Sequence, residues 1–134
     1  MAEPRVPVVL GRDEGRPYEM GGLTALFKAD VPETGGAYAV SEWRLAPGQP
    51  GVGAHAHAHE GNDELFFVTV GRPEILIGDE WRLCAPGDFL CIPAGVMHDF
   101  RNPGPDEARL MNVFTGDGFE AAMPGIVAWF AANG

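Results

Sequence analysis

The four histidines of this 134-residue chain fall in two short segments. The first reads Gly51-x5-His57-x-His59-x4-Glu64-x6-Gly71, with His55 two residues before His57. The second reads Gly87-x5-Pro93-x-Gly95-x2-His98-x3-Asn102, and fifteen residues separate Gly71 from Gly87. Imidazole nitrogens and carboxylate oxygens are donors for first-row transition metals, and three imidazoles with one carboxylate would make a ligand set. In an extended segment alternate side chains share a face, so His55, His57 and His59 point the same way. Either His55/His57 or His57/His59 can then supply a pair. Glu64, Phe66, Val68 and Val70 share a face of the following run, and a hairpin can bring Glu64 opposite the histidines. His98 has to arrive from a distant strand. A histidine-rich tract would explain the first segment by composition alone, but it leaves Glu64 and His98 unexplained.

The elements that must position these residues are short. Tyr38–Leu45, Glu64–Val70, Glu74–Ile77, Trp81–Cys84, Phe89–Ile92, His98–Arg101 and Arg109–Thr115 read as strands, and residues 52–59 as a further extended segment. Gly, Pro and Asp clusters separate them. Gly78-Asp79 suits a two-residue hairpin with Gly at the first turn position. About eight short strands at even spacing predict an all-β barrel or jelly roll. Val6–Leu10 and Leu23–Phe27 suggest an arm or edge strands in residues 1–36, before a β core over 37–116. In 117–134, Phe119, Ala122, Met123, Ile126, Val127 and Phe130 recur at helical period. Asp117 with Glu120 resembles a capping box, and Pro124 would start a second short helix. The whole is read as one domain.

Nineteen glycines and twelve prolines favour turns over long helices. The net charge of −10 and the absence of any basic run argue against nucleic acid and anionic membranes as partners. The first fifteen residues lack the apolar core of a signal peptide, and no stretch reaches transmembrane length. A cytoplasmic protein is expected. Cys84 and Cys91 read as buried free thiols, since two cysteines make no disulfide framework.

The ten fixed positions of the two segments match the paired motifs of the cupin superfamily without gap or substitution. The stretches HAHEGNDELFFVTVG, GDFLCIPAGVMHDFRNPG and ARLMNVFTGDGFE extend the likeness over about residues 37–120. They resemble small single-domain cupins related to quercetin 2,3-dioxygenase. The resemblance implies a jelly-roll β-barrel with short C-terminal helices outside it, and a metal held by His57, His59, Glu64 and His98. His55 is then a neighbour on the same face, at the rim or behind the ligands. Phe66, Phe100 and Met111 are candidates for the pocket wall, with plain core as their alternative reading. Gly51, Gly71, Gly87 and Gly95 suit turns or close backbone approaches, and Asn102 suits a loop hydrogen bond. Leu65 and Phe67 leave an apolar outer face to be covered by the arm, the C-terminal helices or a second subunit, and a homodimer is expected.

One divalent transition metal per chain follows from this resemblance. In octahedral Fe, Mn or Ni, four protein donors leave two adjacent positions for a small-molecule substrate and dioxygen. Zn also accepts these donors, but four of them fill a tetrahedral shell. The expected activity is an oxygenase, dioxygenase-like, acting on a small aromatic, phenolic or enolic compound, with Glu64 also the catalytic base. Two other readings fit the same residues. One is a non-oxidative cyclase, isomerase or lyase using the metal as Lewis acid. The other is a non-catalytic metal or metabolite binder.

Overall fold

Short apolar runs cut by Gly and Pro form nine strands among the residues that the computed structural model describes, 5–51 and 61–133. In chain order these are β1 (Arg16–Glu19), β2 (Leu23–Ala29), β3 (Tyr38–Leu45), β4 (Glu64–Val70), β5 (Glu74–Ile77), β6 (Glu80–Leu83), β7 (Phe89–Ile92), β8 (His98–Arg101) and β9 (Ala108–Thr115). A one-turn helix, α1 (Val31–Thr34), follows β2, and a 3-10 turn (Glu120–Ala122) leads into α2 (Met123–Asn133). No helix among the described residues is long and apolar enough to cross a membrane.

All strand pairs are antiparallel. Six strands in the order β1-β2-β3-β9-β4-β7 make one sheet, and β6-β5-β8 make a second. Among the described residues no strand pairing joins the two, so the architecture is a two-sheet jelly roll and not a closed barrel. Alternation decides what lies between the sheets. Trp43 and Leu45 of β3, Phe66 and Val68 of β4, and Leu110 of β9 face inward, and Ile75 of β5 meets them from the smaller sheet. The β5–β6 hairpin turns on Gly78-Asp79 as expected, with Ile77 opposite Glu80 and Gly78 at φ 66°.

The N-terminal third differs from expectation. Leu23–Ala29 is neither an arm nor an edge, because β1 and β3 flank it on both sides. Its inward Leu23, Ala25 and Phe27 are at most 4% exposed. Val6–Leu10 forms no strand and runs as an arm. The capping box also sits elsewhere. Asp117 has a left-handed φ of 50°, and the N-cap of the 3-10 turn is Phe119, which makes no side-chain cap bond. Asp30 instead opens α1, its Oδ1 accepting from Val31 N at 2.8 Å, while Glu33 Oε1 accepts from Asp30 N at 2.9 Å. The second oxygen of Asp30 accepts from Phe119 N and Glu120 N at 3.0 and 2.8 Å, which ties the C-terminal segment to β2. Glu120 is thereby free to pair with Arg16 and Tyr18. α2 begins one residue before Pro124, which sits in its first turn, where a missing N–H costs no helical hydrogen bond. Of the two thiols only Cys84 is buried. Cys91 is exposed on the uncovered outer side of β7.

Asp30 is 3% exposed and serves three backbone donors. Asp30→Ala leaves those donors unsatisfied and is expected to cost about 2–3 kcal/mol, measured as a lowered midpoint in urea denaturation with an unchanged m-value.

Candidate metal centre

β4 and β8 each supply one side chain to the site. Glu64 is the first residue of β4, paired with Ile92 of β7 and Phe114 of β9 in the large sheet. His98 is the first residue of β8, opposite Ile77 in the small sheet. The Pro93-Ala94-Gly95 corner precedes it, with Gly95 at φ 86° and Ala94 N held by Asp63 Oδ1 at 2.9 Å. The two residues, 34 positions apart in sequence, meet across the sheets, with His98 Nε2 in direct contact with Glu64 Oε2. They are 3% and 5% exposed, so the contact is screened from water.

The hydrogen bonds behind these atoms set their chemistry. His98 Nδ1 lies 3.0 Å from Val96 O, so a neutral ring carries its proton on Nδ1 and presents the Nε2 lone pair to Glu64. Two buried acceptors facing each other need a proton or a cation between them. Burial alone would push the His98 imidazole down. The contact with Glu64, the charge of that carboxylate, the Val96 carbonyl and nearby Asp99 outweigh burial and hold the imidazole above its ordinary value. The donor set, one carboxylate oxygen and one imidazole nitrogen with its second nitrogen held by a carbonyl, fits a divalent transition metal.

His55, His57 and His59 lie outside the described residues. Among the described residues no cluster of three His, Cys, Asp or Glu side chains forms. The base of the histidine-bearing segment is fixed by a close approach, because a Cβ on Gly51 would come within 2.5 Å of buried Asp99 Oδ2. Gly71 also needs its glycine, having φ 74° with backbone of Glu107 against it. Asn102 carries the loop bond expected of it: its amide donates to the carbonyls of Leu45, Ala46 and Asp106.

Of the three proposed wall residues, two face the site. The Phe66 ring centroid is 6.4 Å from that of His98 and 6.1 Å from that of Phe100, and Phe100 packs edge-on against Trp43. Met111 does not join them. It lies on the outer side of β9, opposite Glu42 and Phe67, and borders a cleft of about 860 Å³ between the N-terminal arm and the large sheet. The inward neighbour on that strand is Asn112, 3% exposed, whose Nδ2 donates to Glu64 Oε1 at 3.4 Å. Strand alternation through β9 was the signal that could have found it.

A two-sheet jelly roll with an interior histidine and carboxylate from different strands is the architecture of a cupin. The chain belongs to that family: its Cupin domain model matches residues 41–114. Members commonly bind a metal. The quercetin 2,3-dioxygenase of Bacillus subtilis is 30% identical over 97 residues, which are 72% of this chain and 28% of that protein. The chain spans 28% and 46% of the lengths of two curated relatives it matches. A cupin-superfamily sugar phosphate isomerase from Silicibacter pomeroyi superposes at TM-score 0.59 with 29% identity, covering 72% of this chain and 60% of that one. A predicted oxalate decarboxylase from Thermotoga maritima superposes at TM-score 0.69 with 17% identity, covering 83% of this chain and 99% of that one, a likeness of fold.

Proposed function

We propose that this protein is a metal-dependent oxygenase of small phenolic or enolic compounds. The observation that carries the reading is the buried contact between Glu64 and His98, walled by Phe66 and Phe100. His57 and His59 complete the proposed ligand set with these two residues. A bound Fe, Mn or Ni ion would supply Lewis acidity and redox chemistry beside the substrate oxygen. The protein's own part is to orient and to move a proton. The Phe66 and Phe100 rings offer an apolar wall to an aromatic ring, and their exclusion of water strengthens every charge interaction inside. Glu64 accepts the proton of a substrate hydroxyl, and the Val96 carbonyl keeps His98 in one orientation while it does so. The likeness to a quercetin dioxygenase supports this reading.

The test is elemental analysis of untagged protein purified without added metal, joined to oxygen uptake on a flavonol and on simple phenols. Near-stoichiometric iron, manganese or nickel with uptake is the expected result. Zinc without uptake would overturn the oxygenase. It would favour a metal-dependent isomerase or cyclase, which the likeness to a sugar phosphate isomerase and the proton-sharing geometry of Glu64 and His98 support.

The register of the first motif is checked separately. His59→Ala is expected to lose most bound metal and His55→Ala to retain it, read by metal stoichiometry after desalting. The opposite pattern would move the pair to His55 and His57.

The partner proposed for the outer face is a second copy of the chain. Leu65, Phe67, Phe89, Cys91, Met111 and Val113 form a continuous outward patch on β4, β7 and β9. Phe67 and Phe89 are 42% and 53% exposed and contact each other at 5.0 Å between centroids. None of the six is charged, in a chain of net charge −10. Two copies can therefore meet there without opposing carboxylates. Sedimentation is expected to give a dimer for the parent and a monomer for Phe67→Asp; a monomeric parent would overturn the proposal. The acidic charge balance disfavours nucleic acid and anionic membrane surfaces as partners.

A further inference from the structure

The inner row of β9 reads Ala108, Leu110, Asn112, Phe114, and all four are buried. Asn112 is the polar member of that row. An amide among such neighbours is unfavourable unless it is hydrogen-bonded, so its presence calls for a partner that an apolar residue could not serve. Its register partners are Ser41 on β3 and Phe66 on β4. Glu64 is opposite Phe114, one inward step along β9, which puts the two side chains at diagonal reach.

The bond between them divides the carboxylate. Asn112 Nδ2 donates to Oε1, while Oε2 is the oxygen in contact with His98 Nε2. The amide is oriented by its partner, since its own carbonyl oxygen would repel a carboxylate. At 3.4 Å the bond is long, so it adds orientation at a modest strength.

We infer that Asn112 is the positioning residue that makes Glu64 a one-oxygen donor, by holding Oε1 on the β9 side and turning Oε2 toward His98. The inference rests on the metal-centre reading above. A carboxylate that binds through one oxygen takes one coordination position. A carboxylate free to rotate can take two, and closes a position that substrate would use. Asn112 therefore governs how many positions stay open, without itself touching the metal or the substrate.

The test loads metal-free parent and variants with Co(II), whose visible absorption reports coordination number, and with Mn(II), whose free fraction is counted by electron paramagnetic resonance. Asn112→Leu keeps the volume and removes the donor. It is expected to weaken Mn(II) binding roughly 10–100-fold, the usual cost of losing an outer hydrogen-bond partner. It is also expected to change the intensity of the Co(II) bands, and Asn112→Gln, which keeps the amide, should restore most of both. If Asn112→Leu does not fold, Asn112→Ala carries the same comparison. An Mn(II) affinity within twofold of the parent overturns the inference. So does weaker binding with an unchanged Co(II) spectrum, because looser packing alone would give that. A parent that takes up neither metal sinks the metal-centre reading itself, an outcome distinct from both.

Discussion

His98→Ala is expected to abolish stoichiometric metal binding and the thermal stabilisation that added Mn(II) or Co(II) gives the parent. If His98 is a ligand as proposed, the loss should exceed the roughly 10–100-fold that an outer partner costs. The metal-free protein adds a second signature. The contact with Glu64 holds the His98 pKa above its ordinary value despite burial. A group raised on folding contributes stability that is fully present below its unfolded pKa, about 6.5, and is lost as pH rises through the folded value. The metal-free parent should therefore lose Tm as the pH is raised above the ordinary histidine range. If Glu64 and His98 hold a metal as proposed, the loaded parent should depend less on this proton and hold its Tm at the alkaline end. His98→Ala should show neither the proton-linked slope nor the metal-linked gain. Thermal scans across this range, with chelator and with saturating metal, measure both. Unchanged metal stoichiometry in the variant would remove His98 from the ligand set.

How far the sequence discloses this arrangement depends on the kind of signal. The ends of β3, β4, β5, β7 and β8 are legible because Gly, Pro or Asp bounds each run, and those residues act locally. The meeting of Glu64 and His98 has no local signal. It depends on the two sheets facing each other, and only the resemblance to cupins anticipates it. β2 is obscured because Leu23–Phe27 is a short apolar run among Gly, Pro and charge, with nothing local to say that β1 and β3 would pair on both sides. The two Asp-x-x-Glu sequences, at Asp30 and Asp117, are equivalent as patterns. Tertiary structure chooses between them, because Asp30 can serve α1 and the 3-10 turn at once.

Met111 and Asn112 show the sharpest limit. One residue of parity exchanges a strand's two faces, and the apolar Met is the natural choice for a pocket wall. The register with β4 settles it the other way, placing Asn112 opposite buried Phe66 and Met111 opposite exposed Phe67. A buried amide beside a proposed ligand looks anomalous in a hydrophobicity pattern and ordinary in a metal site, where donors are themselves held by hydrogen bonds.

Glu64→Gln separates the two roles given to Glu64. The amide keeps the shape of the carboxylate and its oxygen can still accept from Asn112, but it has no negative charge and no useful basicity at neutral pH. Weaker metal binding is expected from the lost charge alone. The informative comparison is turnover with metal held saturating, on a phenol that the parent oxidises. If Glu64 also takes the substrate proton, the saturated variant should still be slower by about 10²–10⁴-fold in kcat, the range that general-base catalysis supplies. It should also lose the acidic limb of the parent's pH–rate profile. If Glu64 is a ligand and nothing more, turnover should return to within a few-fold of the parent once metal saturates. The proton would then have to leave through another group, and the pH profile of the variant would keep its shape. Single-turnover measurements under saturating metal decide between these outcomes, since they remove product release from the comparison.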